Sequence, residues 1–325
     1  MNLTKPAPKD LEQIAIIADI HGNLTALQAV LNDIKKLKHI IFLGDVIGYG
    51  PCPGECIDLL LGLTSGEQKV DLQGTKGNHD QATIDSNFEG FSAVAEAMVM
   101  WTQDQLSHSP KEKRDKRYAF LNGLNERIST IQNHPNCLFV HGSPRDPIRE
   151  YILPPEDPKI AKRVGENLEV MRQQSILCAF VSHSHVPGIW EAGKGIYHPP
   201  FSKDDPFSKA GIHYLDEFSY PIINVGSVGQ PRDGNPKAKY VILGGSDEGG
   251  AIRRFVTFKQ VGYDVGQERK RLRDSDINNW LNRHPDLRRE VEDYAASRVM
   301  LHKQFRPLYE GDIAGFLALR LEQAF

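Results

Sequence analysis

The segment IAIIADIHGNLTALQAVLNDIKKL (14–37) decides the fold class. Its opening residues, Ile14 to Ala18, are wholly apolar, as in a strand buried on both faces. Asp19, His21 and Gly22 end that run with turn-forming and polar residues. Leu24, Leu27, Val30, Leu31 and Ile34 then recur at helical spacing up to Leu37, with Asn23 as the expected N-cap. Strand, polar turn and helix is the α/β pattern, in which ligands gather beyond the carboxyl ends of strands.

The same arrangement returns along the chain in FLGDVIGYG (42–50), GNHD (77–80), FVHGSP (139–144) and FVSHSHVP (180–187). Strands are expected at Ile40–Leu43, Leu138–Val140 and Ala179–Val181. Around these runs stand Asp19, His21, Asp45, Asn78, His141, His183 and His185, all potential metal ligands. A buried carboxylate or imidazole is costly unless it is paired or bound to a metal. One polar strand end means little, whereas this recurrence points to convergence on one metal-holding cleft.

The chain has 325 residues, 40% of them hydrophobic, enough to bury a substantial core as one large domain or one domain with appendages. A net charge of −3 gives no sign of a general nucleic-acid or anionic-membrane binder. Cys52, Cys56, Cys137 and Cys178 form no CxxC pair and read as buried thiols. The opening MNLTKPAPKDLEQ lacks the apolar stretch of a signal peptide, and no apolar segment approaches the ~18 residues that span a bilayer. A cytoplasmic protein is expected.

Residues 1–12 read as a leader. Residues 88–124 turn helical, with Phe91, Val94, Ala95, Met98 and Trp101 on one face, until KEKRDKR (111–117) interrupts as a solvated helix end or loop. The segment 186–219, with HPPFSKDDPFSK (198–209), reads as a long surface loop, a candidate lid or substrate guide. Ser219–Val225, Tyr240–Leu243 and Ile252–Phe258 have strand character, the last two joined by the turn GGSDEGG. From 264 onward the composition is charged and helical, with Leu287, Val291, Tyr294, Leu301 and Phe305 nearly on one stripe broken by Arg298. The expected division is a domain over 1–265 and a helical extension over 266–325, packed on the domain or on a second copy in a homo-oligomer.

With its motifs DIH (19–21), GD (44–45), GNHD (77–80), VHGS (140–143) and SHSH (182–185) in this order, the chain resembles the calcineurin-like metallophosphoesterase superfamily. GYGPCPGECI (48–57), HGSPRDP (141–147) and NVGSVGQPRDG (224–234) resemble a bacterial branch of small phosphoesterases. The resemblance covers roughly residues 12–265. It implies a two-layer sandwich of mixed sheets flanked by helices, with the site at one edge. It also implies two divalent or mixed-valence metal ions. Asp19, His21 and His185 would hold one, Asn78, His141 and His183 the other, and Asp45 both. Two imidazoles per metal plus oxygen donors suit Mn, Fe, Zn, Ni or Co. The implied chemistry is attack by a metal-bound hydroxide, with His79 donating a proton to the leaving group and Asp80 orienting its ring. One departure is Ser182, where the family usually has glycine before its His-x-His pair.

Tyr49, Arg145, Arg232 and Asp233 stand in these motif-like strings. An arginine there either grips a phosphate or fixes a loop by a salt bridge, and the sequence leaves both open. The leading function is hydrolysis of a phosphodiester or small nucleotide-like phosphate. The alternatives are a protein phosphatase or dinucleoside tetraphosphatase, disfavoured because GDVIGYG (44–50) replaces those branches' GDxVDRG, and a non-catalytic scaffold with this fold. Long nucleic acid is an unfavoured substrate on charge grounds, and no membrane role is expected.

Overall fold

The computed structural model describes residues 9–65, 69–129, 131, 134–153, 158–192, 194–201, 209–247, 252–301, 314 and 317. In chain order the strands are β1 (Lys9–Asp10), β2 (Ile14–Ile17), β3 (His39–Leu43), β4 (Asp71–Thr75), β5 (Arg127–Ile128), β6 (Cys137–Val140), β7 (Cys178–Val181), β8 (Gly188–Glu191), β9 (Gly195–Tyr197), β10 (Lys209–Tyr214), β11 (Ile222–Asn224), β12 (Ala238–Asp247) and β13 (Ile252–Val261). The helices are α1 (Leu24–Asp33), α2 (Pro53–Ser65), α3 (Asn78–Asp85), α4 (Ala93–Ser107), α5 (Lys111–Asn122), α6 (Pro158–Gln173), α7 (Val265–Asp274), α8 (Ile277–Asn282) and α9 (Pro285–Leu301). No described helix is long and apolar enough to cross a membrane. Of the segments read above, 1–8, 66–68, 130, 132–133, 154–157, 193, 202–208, 248–251, 302–313 (with Phe305), 315–316 and 318–325 lie outside the described residues.

Two mixed sheets form the sandwich. One runs β10-β13-β12-β2-β3-β4, with β1 on β12; the other runs β5-β6-β7-β11-β8-β9. β2, β3 and β4 are parallel, as are β6, β7 and β11. Period-two alternation assigns each side chain to a layer. Ile14 and Ile16 enter the core between the sheets with Ile41, Phe139, Phe180 and Ile223, whereas Ala15 and Ile17 pack under α1 and α2 with Leu27, Val30 and Leu60. The outer face of the second sheet, through Leu138, Val140, Ala179 and Val181, packs on Leu168 and Met171 of α6. Both faces of each central strand are therefore apolar, which is why these strands read as unbroken hydrophobic runs.

Asn23 caps α1, its side chain accepting from the Ala26 N–H at 3.0 Å. KEKRDKR does not end a helix; it begins α5, and its Arg117 is buried, making two hydrogen bonds to the Asp58 carboxylate at 2.9 and 2.6 Å. Gly244 and Gly245, read as turn residues, belong to the β12–β13 ladder. A Cβ on Gly244 would meet the Phe255 ring at 2.4 Å, so glycine is there to let an aromatic ring cross the backbone. The strand expected over Ser219–Val225 is shorter, because Glu217–Ser219 forms a 3₁₀ turn. The thiols are free; Cys137 and Cys178 face each other on neighbouring parallel strands with sulfurs 3.0 Å apart.

The C-terminal helices pack on this body. Glu268 of α7 is fully buried and accepts from the Thr25 hydroxyl of α1 at 2.5 Å. α8 and α9 bury Ile277, Trp280 and Val291 against Val94, Met98 and Trp101 of α4, and the Trp101 indole N–H donates to Asp276 at 2.8 Å. Between the sheets, the Phe139 and Phe180 rings stack 4.9 Å apart at 4°. Phe180→Ala should cost ~3–5 kcal/mol, read as a lowered urea midpoint with an unchanged slope.

Candidate metal centre

Asp19, Asp45, Asn78, His141 and His183 follow the last residues of β2, β3, β4, β6 and β7 by one to three positions, which puts them on one edge of the sandwich. Asp19 (φ 50°), His21 (49°), Asp45 (53°), His183 (62°) and His185 (61°) all adopt the left-handed backbone region. Asp and His tolerate it better than branched residues, yet each such residue costs about 1 kcal/mol or more. These turns fold the chain back at once, so the side chains point across the edge rather than out to solvent.

Each imidazole is tied by one ring nitrogen to a backbone carbonyl. His141 Nδ1–H donates to Leu43 O at 2.7 Å, His185 Nδ1–H to Gln230 O at 2.5 Å and His21 Nδ1–H to Ile47 O at 3.2 Å. His183 uses the other nitrogen, Nε2–H donating to Arg149 O at 3.1 Å. That fixes the tautomers and leaves one lone pair per ring aimed inward. The lone pairs face each other: His21 Nε2 and His185 Nε2 are 3.2 Å apart, His141 Nε2 and His183 Nδ1 3.0 Å. Asn78 Oδ1 lies 3.1 Å from His141 Nε2. Asp45 Oδ2 stands between the pairs, 3.6 Å from His21 Nε2 and 3.4 Å from His141 Nε2. Asp19 Oδ1 is 3.5 Å from His185 Nε2, and neither buried Asp19 oxygen has a hydrogen bond of ordinary geometry.

Acceptors at such separations repel unless a cation lies among them. The donor atoms of Asp19, His21 and His185, of Asp45, His141 and His183, and of His21, Asp45 and His79 each fall within 4.8 Å of one another. Such nitrogen and oxygen sets could hold a transition-metal ion of intermediate hardness.

Burial, then the charge of Asp45, pushes the Asp19 carboxyl well above its usual range, against the pull of Arg232 and the His183 N–H. Burial raises Asp45 to about 8. Burial and then Asp45 raise Asp80 to about 7. Burial also drives His21, His79, His183 and His185 well below 6.5, and His141 to about 4. Burial thus pushes imidazoles and carboxyls alike toward their neutral forms, the pull that a bound cation would oppose at the carboxylates.

Asp80 departs from its expected part. Its two oxygens accept the backbone N–H groups of Asp45 (2.7 Å), Val46 (3.0 Å) and Gly77 (3.0 Å), and His79 Nδ1 has no hydrogen-bond partner. Asp80 therefore joins the turn after β3 to the turn after β4, and it does not orient the His79 ring. Aromatic packing does that: Tyr49 and Phe91 lie 4.8 and 4.9 Å from the His79 ring, His21 4.9 Å. Gly48 (φ 138°) completes the seat, because a Cβ there would meet His21 Nδ1 at 2.7 Å and His79 Nδ1 at 2.8 Å. Ser182 has no left-handed backbone, and its hydroxyl donates to Leu43 O at 3.0 Å, beside His141 Nδ1.

Among the residues read as contacting substrate, Tyr49 and Arg232 line a cavity beside His79. Arg232 donates to Gln230 Oε1 at 2.9 Å and keeps a buried Nε without a partner. Arg145 does not line it: its guanidinium pairs with Glu150 and Glu166, and Glu150 also accepts from Ser143 and Asn167. Of the two roles left open for Arg145, it has the loop-fixing one. Asp233 likewise holds a loop, 2.9 Å from the buried Lys239 ammonium. Phe91, Tyr151 and Tyr294 also line the cleft, with Tyr151 stacked on His183 at 3.6 Å, and the sequence reading missed that role. No motif marks them; for Phe91 the helical spacing signalled only a packed face.

The family model for calcineurin-like phosphoesterases matches residues 13–205. A metallophosphoesterase from Sphaerobacter thermophilus is 33% identical, and its crystal structure superposes with a TM-score of 0.57 over 81% of this chain and 93% of that one. An uncharacterized protein of Methanocaldococcus jannaschii is 32% identical over 276 residues, 82% of this chain and 95% of that protein. A hypothetical protein from Pyrococcus horikoshii shares the fold at a TM-score of 0.57 and 19% identity, over 81% of this chain and 92% of that one. This chain belongs to the calcineurin-like phosphoesterase family.

The shifted groups set a pH profile for metal-stripped protein. Folded imidazoles bind fewer protons than unfolded ones up to about pH 6.5, so stability rises with pH to that point. Folded carboxyls hold protons that unfolded ones release from pH 3.8 upward; below pH 6.5 the more numerous imidazoles outweigh this, and above it stability falls toward pH 8, through the raised values of Asp80 and Asp45. Urea midpoints of stripped protein should therefore peak near pH 6.5; a plateau from pH 6.5 to 8 would contradict this. Asp80→Ala, which strands three buried N–H donors, should cost at least ~3 kcal/mol in the same assay.

Proposed function

We propose that this protein is a metal-dependent phosphoester hydrolase acting on phosphodiester or small nucleotide-like phosphate bonds. The observation that carries the reading is the set of inward lone pairs, each fixed by a backbone carbonyl, around two partnerless Asp19 oxygens. Two divalent or mixed-valence ions (Mn, Fe, Zn, Ni or Co) fit this set. Asp19, His21 and His185 would hold one, Asn78, His141 and His183 the other, and Asp45 both. When bound, such ions supply a water activated at neutral pH and offset negative charge on the phosphoryl oxygens.

The chain's own groups do the rest. Arg232, which lines the cleft beside His79, grips a phosphoryl oxygen. His79 is the proton donor to the leaving oxygen. Burial keeps its ring neutral, so it takes up a proton only as an anionic phosphoester arrives and raises its affinity for one. Tyr49 and Phe91 hold the ring in place meanwhile.

Purified protein stripped of metal should hydrolyse neither 4-nitrophenyl phosphate nor bis(4-nitrophenyl) phosphate, and Mn, Ni, Co, Zn or Fe should restore turnover. Asp45→Ala and His141→Ala should each lower kcat/KM at least ~100-fold. Removing the imidazole in His79→Ala should cost ~10²–10⁴-fold on alkyl esters and much less on nitrophenyl esters, whose leaving group needs no proton. Full metal-dependent turnover by Asp45→Ala would sink the two-ion assignment.

A further inference from the structure

Beyond the donor atoms the cleft has two lobes, which meet at Asn78, Gly90, Phe91 and Tyr151. The lobe on the His183 side has a volume of about 430 Å³ and is bordered by Glu89, Asp146 and Arg149. The lobe on the His79 side is smaller, about 180 Å³, and is bordered by Tyr49, Ser92, Ala95, Arg232 and Tyr294. Among the described residues, one from the C-terminal helices lines the smaller lobe, Tyr294 of α9, and none lines the larger. The same helices hold α4 through Trp101, Ile277, Trp280 and Val291, and α4 begins two residues after Phe91. The extension thus sets the lobe twice, directly with Tyr294 and indirectly through the seat of α4. Tyr294 lies outside the part that matches the family model, residues 13–205.

We propose that the smaller lobe is the leaving-group subsite and that Tyr294 restricts it to a group of about one ring. This rests on the reading of His79 as proton donor to the leaving oxygen, since His79 borders this lobe and not the larger one. A cavity of roughly 150 Å³ holds one benzene; the lobe, at about 180 Å³, has room for little more than a single ring, and Ala95 and Tyr294 are among the residues that bound it. A diester would then place its bulkier, retained group in the larger lobe. Selection falls on the departing group.

The test compares kcat/KM for phenyl and 2-naphthyl esters, as phosphomonoesters and as methyl diesters, in metal-loaded full-length protein. Phenolate and naphtholate are similar leaving groups, so their ratio reports space rather than chemistry. In the native chain the naphthyl ester should be at least ~10-fold poorer. Tyr294→Ala should raise the naphthyl-to-phenyl ratio at least ~10-fold, and Tyr294→Phe should leave it unchanged. Tyr294→Leu, which keeps apolar packing on α4, should shift the ratio in the same direction as the alanine variant. A purely structural role would lower both esters together and leave the ratio where it was, which overturns the proposal. So does a native ratio near one with the phenyl ester well hydrolysed, and the phosphoesterase reading survives that result. No metal-dependent hydrolysis of any ester would overturn both.

Discussion

Lone pairs that must face one another at 3.0–3.2 Å govern this molecule. Nitrogen and oxygen acceptors do not assemble in a dry interior by their own attraction; they are forced there. Each of the four converging rings is anchored by a backbone carbonyl, two of them from the end of β3 and its turn (Leu43 and Ile47) and the others at Arg149 and Gln230. Asp80 locks two turns with one carboxylate. Glycine at position 48 lets two imidazoles approach a backbone that any side chain would block. These devices share one task, holding together against repulsion a donor set that could take up a metal ion.

The sandwich is suited to that task because each sheet contributes part of the set. Asp19, His21, Asp45 and Asn78 follow strands of the first sheet, and His141, His183 and His185 follow strands of the second. The distance between the groups is then fixed by the apolar layer between the sheets, where Ile14, Ile16, Phe139 and Phe180 interdigitate. Close packing resists the sliding that would separate them. Core residues far from any reacting atom are in this sense part of the site's ruler.

Much of this was legible in the chain. Most of the potential ligands could be read because they follow a buried strand, where a polar residue has few structural reasons to exist; Asn78, after the half-exposed edge strand β4, was legible only through its GNHD string. The first helix was legible from spacing and its Asn23 cap. Asp80 was misread because its partners, the amides of Asp45, Val46 and Gly77, are backbone groups that carry no letter in the sequence. Arg145 was ambiguous for a related reason: its outcome was set by Glu150 and Glu166, one of them on a helix twenty-one positions on. Gly244 and Gly245 looked like a turn because glycine usually marks one; at Gly244 the ring of Phe255 needed the space, and Gly245 continues the same ladder. Phe91, Tyr151 and Tyr294 reach the cleft from three separate segments, a juxtaposition that periodicity does not encode.

The left-handed backbone at Asp19, His21, Asp45, His183 and His185 bears on how such a chain drifts over generations. At each of these positions glycine would relax the backbone, and at most it would also remove a buried group that water would rather keep. Against that relief stand the cavity a lost ring would leave and the carbonyls it would strand, at Ile47, Arg149 and Gln230 among others. A lineage released from its chemistry would feel both, strain pulling the ligands out and packing holding them in. The wear would begin at the strand ends, while the sandwich beneath kept its shape.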